Sequence, residues 1–164
     1  MIPEIALMLA LAASDMFEQM LKLEGEWEGS YEWTDGRSGG GAMRVRYTVT
    51  GAGSALIEDL INEEGVATMT TVYHLSGEDL RMTHYCAAGN QPRMKLNAKK
   101  STAQELVFDF DGGTNLNPRR DTHMHSMVLT LPAPGGPQKI HVAGIGFDKG
   151  KEQPSCSNTL TRRN

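Results

Sequence analysis

The chain consists largely of short segments in which apolar and polar residues alternate. The clearest is the range 24–33, where Trp27, Tyr31 and Trp33 fall on one face and glutamates occupy the other. Because successive side chains of a β-strand point to opposite faces, this pattern predicts a half-buried strand whose aromatic face lies towards a core.

Further segments of the same kind follow along most of the chain. They cover 43–49, 55–61, 66–73, 80–86, 92–96, 106–110, 123–131, 139–147 and 156–162. Most are joined by short, glycine-containing turns, an order typical of an antiparallel meander. Closing such a sheet removes its two edges, so we predict an all-β, antiparallel up-and-down β-barrel of about eight to ten strands. Barrels of this size can hold one small ligand.

One helix is predicted before the first strand. Asp15 and Glu18 have capping-box spacing, and apolar residues then recur at helical spacing, so we expect a short amphipathic helix over about Asp15–Lys22 that covers an end of the barrel. Residues 14–164 are expected to form a single domain.

The first thirteen residues are apolar and allow two interpretations. They form either an extension of the helix in a cytoplasmic protein, which we favour, or the hydrophobic part of a signal in a secreted or periplasmic one. Glu4 stands where a signal carries a basic residue. The run is too short to span a membrane.

Composition excludes some partners. The 164 residues are 39% hydrophobic and carry a formal charge of −4, and no basic stripe follows the chain, so nucleic acid is not an expected partner. The two cysteines, Cys86 and Cys156, have no metal-binding or redox spacing. Sequence alone indicates no oligomeric state.

Two stretches resemble a known group of proteins. The range 23–29, Leu-Glu-Gly-Glu-Trp-Glu-Gly, is similar to the Gly-x-Trp-x-Gly opening of lipocalin-like and nitrobindin-like calycin barrels. The run that begins at Tyr73-His74-Leu75 and continues from Thr83 to Met94, with a match extending through Phe108 to His125, resembles uncharacterised bacterial proteins of the same broad type. The resemblance extends over about Asp15–Leu131 and implies a calycin-like, lipocalin-like barrel with no assigned activity.

The candidate site is a cavity inside this barrel. Strand alternation places His84 and His125 on otherwise apolar faces, and Arg93 follows a turn rich in hydrogen-bond donors. We therefore expect non-catalytic binding of a small, largely apolar molecule whose polar or anionic head contacts His84, His125 and Arg93. The residues expected to hold its body are Trp27, Tyr47, Tyr73, Met94 and Phe108.

Alternatives to this function remain open. The histidines are equally well explained as hydrogen-bonded core residues without a ligand. His123 and His125 are two apart, and with His84 or Asp121 they have donors suited to zinc, which is the weaker alternative. Nitrobindin-like barrels bind haem through a C-terminal histidine, and only His141 lies in a comparable region. No catalytic motif is present, so an enzyme is not favoured, and no resident cofactor is expected.

Overall fold

The computed structural model describes residues 12–164, which form one short helix and ten β-strands. The elements are α1 (Ala13–Leu21), β1 (Gly25–Trp33), β2 (Gly40–Thr50), β3 (Ala55–Ile61), β4 (Ala67–Ser76), β5 (Asp79–Tyr85), β6 (Gln91–Leu96), β7 (Glu105–Thr114), β8 (His123–Thr130), β9 (Lys139–Asp148) and β10 (Lys151–Arg162). Most of the apolar segment 1–13 lies outside the described residues, and its last residue, Ala13, begins α1.

The ten strands form a closed antiparallel barrel. Each strand pairs with its neighbours in sequence, and β1 pairs with β10 from Trp27 opposite Arg162 to Trp33 opposite Cys156. The predicted all-β, up-and-down barrel with a short N-terminal helix is therefore confirmed. Because the first and last strands pair, the sheet has no free edge.

The helix and the large apolar side chains fill one end of the barrel, which we call the lower end. Met16, Phe17 and Met20 on α1 are buried and belong to the same apolar cluster as the strand residues. The Trp27 indole N–H donates to the Leu23 carbonyl oxygen at 2.8 Å and ties the start of β1 to the residues after the helix. The lower half of the barrel is thus a packed core.

The connections at the opposite, upper end are the loops between β1 and β2, β3 and β4, β5 and β6, β7 and β8, and β9 and β10. The connection between β7 and β8 is shorter than the gap between the predicted segments 106–110 and 123–131, because β7 continues to Thr114. β-Bulges interrupt β8 between Met124 and Ser126 and β10 between Pro154 and Cys156. Both lie beside the upper part of β9, which contains Gly144 and Gly146.

Within residues 12–164, no helix has both the length and the apolar character needed to cross a membrane.

Candidate functional site

The upper half of the barrel contains a cavity of about 1450 Å³ that opens at the upper end. The apolar part of its wall comes mainly from β1 to β4, β8 and β9. Its apolar lining includes Trp33, Met43, Leu60, Met69, Met127 and Val142. A cavity of this volume has room for a small organic molecule.

One wall of the cavity carries a row of polar side chains on three adjacent strands. Glu58 on β3 is paired with Thr71 on β4, and Thr71 is paired with His84 on β5. Residues directly opposite each other in antiparallel strands share a face, so all three side chains point inward together. They are 7%, 2% and 6% exposed, respectively, and all line the cavity.

Glu58 is held by two phenols from below. The hydroxyls of Tyr47 and Tyr73 donate to the same carboxyl oxygen, Oε2, at 2.9 and 2.8 Å. The other oxygen, Oε1, accepts no hydrogen bond from the described residues. Burial raises the pKa of the Glu58 carboxyl above its usual range, although the two phenol hydrogen bonds oppose that rise.

His84 is oriented by its neighbour on β4. Its Nδ1 lies 2.9 Å from the Thr71 hydroxyl, and its Nε2 has no hydrogen-bond partner among residues 12–164. Burial lowers the pKa of His84 to about 4, so the imidazole is neutral near pH 7. The ring therefore presents a neutral nitrogen to the cavity.

A third polar group, Asn158 on β10, also lines the cavity. It is 8% exposed, and its side-chain amide forms no hydrogen bond within the described part of the chain. Buried polar groups almost always have a hydrogen-bond partner, and leaving one unsatisfied costs about 1–3 kcal/mol. Because Asn158 Oδ1 is shielded from solvent, the positions offered to a bound molecule are two, Glu58 Oε1 and His84 Nε2.

The five residues expected to hold the ligand body do not line the cavity. Trp27, Tyr47, Tyr73, Met94 and Phe108 are each fully buried in the lower core, beneath the cavity. Tyr73 and Phe108 pack with ring centroids 5.8 Å apart. None of the five lines the cavity, and Tyr47 and Tyr73 contribute to the site by positioning Glu58.

Arg93 and His125 are not part of the cavity wall. Arg93 is exposed and pairs with Thr83 on β5. His125 stacks between Phe110 and Phe147, with ring centroids 4.8 and 5.3 Å away, and its Nε2 lies 3.2 Å from a carboxylate oxygen of the exposed Glu152. The structure therefore brings neither residue together with His84.

The bulge in β8 explains the position of the histidine pair. Because it lies between Met124 and Ser126, it interrupts the alternation that predicted a common face for His123, His125 and Met127. His123 is buried at the upper wall, and its Nε2 lies 3.1 Å from Nδ1 of His125. In the described range 12–164, no three His, Cys, Asp or Glu side chains come close enough together to hold a metal ion.

Glu58 and Asn158 were not singled out by the sequence. In β3 both alternating faces contain apolar and acidic residues, so the pattern does not show which face is inward. Glu58 lies opposite Tyr47 and Thr71 on the neighbouring strands, and this pairing is what distinguishes it. The pairing can be recognised only when the register of the strands is known. Asn158 lies in a polar segment with no distinguishing pattern.

Neither the known protein-family models nor the curated proteins include a match to this chain. The closed barrel with its short N-terminal helix is compatible with a calycin-like architecture.

Proposed function

We propose that this protein binds a small, largely apolar molecule with a polar head inside the upper half of its barrel, without catalysing a reaction. The observation that carries the proposal is the coexistence of a large cavity with two polar side chains on its wall that each keep one atom without a hydrogen-bond partner among residues 12–164: Glu58 Oε1 and His84 Nε2. Binding sites for small molecules combine an apolar wall with a few such orienting groups.

The apolar wall suits a ligand of variable shape. Four methionines line the cavity, namely Met43, Met69, Met124 and Met127. Methionine has an unbranched, flexible and polarizable side chain that adapts to irregular apolar surfaces. Burying the ligand body against these side chains supplies the hydrophobic part of the binding free energy, at about 25 cal/mol per Å² of apolar surface removed from water.

The polar head contacts the row on β3–β5 in this proposal. His84 keeps the role expected from the sequence, and Glu58 takes the place of His125 and Arg93, which lie away from the cavity. Two phenol hydrogen bonds hold the Glu58 carboxyl in one orientation, and Thr71 does the same for the His84 ring. A preoriented site loses less conformational entropy when it binds.

A substitution at Gly144 tests the proposal. Gly144 lines the cavity, and a Cβ added there would lie at ordinary contact distances of 3.6 and 3.7 Å from Cys156 atoms. Gly144→Leu is therefore expected to fold and to fill part of the cavity. Its matched control is Ala143→Leu, which adds a leucine to the adjacent, oppositely facing position of β9.

The measurement is titration with N-phenyl-1-naphthylamine, an uncharged apolar dye whose fluorescence rises in apolar surroundings. We expect one dye molecule to bind the wild-type protein and Ala143→Leu alike, and Gly144→Leu to bind at least about tenfold more weakly because the leucine occupies the site. Equal binding by all three proteins, or no binding by the wild type, would overturn the proposal.

A further inference from the structure

The carboxyl group of Glu58 has no positively charged partner. Its two neighbours across the strands, Tyr47 and Tyr73, are phenols, and no lysine or arginine in residues 12–164 forms an ion pair with it. The described ion pairs of the arginines and lysines all involve other carboxylates. A buried carboxylate is normally paired with a cation, so Glu58 is unusual in this protein.

The cavity and its rim are also negative as a whole. Five acidic residues line them, Glu28, Asp35, Glu58, Glu63 and Asp148, against two arginines, Arg37 and Arg44. Since Glu28 forms an ion pair with Arg163, the formal difference is two negative charges. Both arginines are engaged already: Arg37 forms an ion pair with Asp35, and Arg44 donates to the Asn62 carbonyl oxygen at 2.8 Å. A concave surface with charges of one sign attracts ligands of the other sign.

We propose that the head of the ligand is a primary or secondary ammonium group attached to an apolar body, and that this group forms an ion pair with Glu58 Oε1. This inference rests on the proposed function. This choice supplies the missing counter-charge at a position that is 7% exposed and faces the cavity. A carboxylate head would instead be repelled by the Glu58 carboxylate and by the other acidic residues that line the cavity.

The neighbouring groups can complete the coordination of an ammonium. When the Nδ1–H of His84 donates to the Thr71 hydroxyl, 2.9 Å away, the Nε2 of the neutral ring is an acceptor. Glu58 Oε1 and His84 Nε2 are thus two acceptors on one wall of the cavity without a partner among residues 12–164. An ammonium group has only donors, so an acceptor-rich site selects it over an anion.

Binding of a cation is expected to depend on pH. The groups that face Glu58 are Tyr47 on β2, Thr71 and Tyr73 on β4, and His84 on β5; Asp59 follows it in the chain. The two phenols stay protonated because burial raises their pKa well above the usual value, and His84 stays neutral above about pH 4. Glu58 is thus the group whose charge changes as pH rises above 4.5.

Three probes with the same tail separate the alternatives: octylammonium, octanol and octanoate, each used to displace N-phenyl-1-naphthylamine at pH 7.5. We expect octylammonium to bind about ten- to a hundredfold more tightly than octanol, because hydrogen bonds between charged groups are stronger than neutral ones, and octanoate to bind most weakly.

Octanol or octanoate binding as tightly as octylammonium would overturn the inference and leave the proposed function standing. Failure of all three to displace bound dye would overturn the inference, and failure of the dye itself would overturn both.

Two variants locate the effect. Glu58→Gln keeps an acceptor for both phenols and removes the charge. This variant is expected to lose the preference for octylammonium and to bind octanol as the wild type does. Asp59→Asn removes a charge from the next residue, whose carboxylate accepts from the Thr70 hydroxyl at 2.6 Å, and is expected to keep the preference. An equal loss of the preference for octylammonium in both variants would show a general effect of charge and would contradict an ion pair at Glu58.

A readout on the unmodified protein covers the case in which Glu58→Gln does not fold. An ammonium stabilises the charged carboxylate and lowers its pKa, so octylammonium binding is expected to release protons and to strengthen as pH rises through the pKa of Glu58. Calorimetric titrations in two buffers of different ionisation enthalpy measure this release. Octylammonium binding without proton release and with no change in affinity from pH 4.5 to 7.5 would overturn the inference.

Discussion

At the scale of single residues, the site depends on two ionisable groups that burial affects in opposite directions. Burial raises the pKa of the Glu58 carboxyl and lowers that of the His84 imidazole to about 4, and in both cases it favours the neutral form. Each group is oriented by hydroxyl groups on neighbouring strands and presents its remaining atom to the cavity. The polar row is therefore fixed before a ligand arrives.

The lowered pKa of His84 predicts a loss of stability in acid. In the unfolded chain the ring takes up a proton below about pH 6.5, whereas in the folded protein it does so only near pH 4. Its contribution is fully present above pH 6.5 and falls as pH decreases towards 4, by about 3 kcal/mol at most. Urea unfolding at several pH values is expected to show this decrease in the wild type and a smaller one in His84→Gln. Parallel pH profiles for the two proteins would contradict a neutral, buried His84.

The sequence could identify His84 but not the rest of the polar row. His84 follows Leu80 and Met82 at strand spacing on a clearly apolar face, so its inward position was predictable. Glu58 and Asp59 are adjacent acidic residues in a strand that is apolar on both faces, and only the register decides which one is buried. The position of His125 depended on a bulge, which local alternation does not reveal.

At the scale of elements, alternation predicted all ten strands, and the differences lie at their ends. β7 and β10 are longer than predicted, because their polar and glycine-rich ends continue to pair with neighbouring strands. Pro154 is tolerated inside β10 at a bulge, where a ladder hydrogen bond is already missing. Pairing of β1 with β10 closes the barrel, and it requires close approach of the two backbones.

Gly29 makes that approach possible and should not tolerate a side chain. A Cβ at this position would lie 1.9 Å from the backbone carbonyl oxygen of Thr159 on β10. Gly29→Ala is therefore expected to lower the free energy of unfolding by about 3 kcal/mol or more, since backbone must move to relieve the overlap. Gly144→Ala is the control, because its Cβ has ordinary contacts, and urea unfolding compares the two. A Gly29→Ala protein as stable as Gly144→Ala would contradict the described β1–β10 packing.

At the scale of the whole molecule, the barrel is divided into a packed lower half and an open upper half. The helix and the largest buried side chains lie in the lower half and stabilise the fold. The cavity, the polar row and the five upper connections lie in the other half. This separation lets the upper half carry unpaired polar groups, whose cost the packed core offsets.

Eight methionines of residues 12–164 can report on this division. Met43, Met69, Met124 and Met127 line the cavity, with Met127 also in contact with the packed core, and Met16, Met20, Met82 and Met94 belong to the core alone. The most direct measurement is methyl NMR of protein labelled with ¹³C at the methionine methyl groups, with and without N-phenyl-1-naphthylamine. We expect the dye to shift the resonances of the four cavity methionines and to leave the four core methionines nearly unchanged. Shifts confined to the core methionines, or no shifts in any of the eight, would contradict binding in the upper half of the barrel.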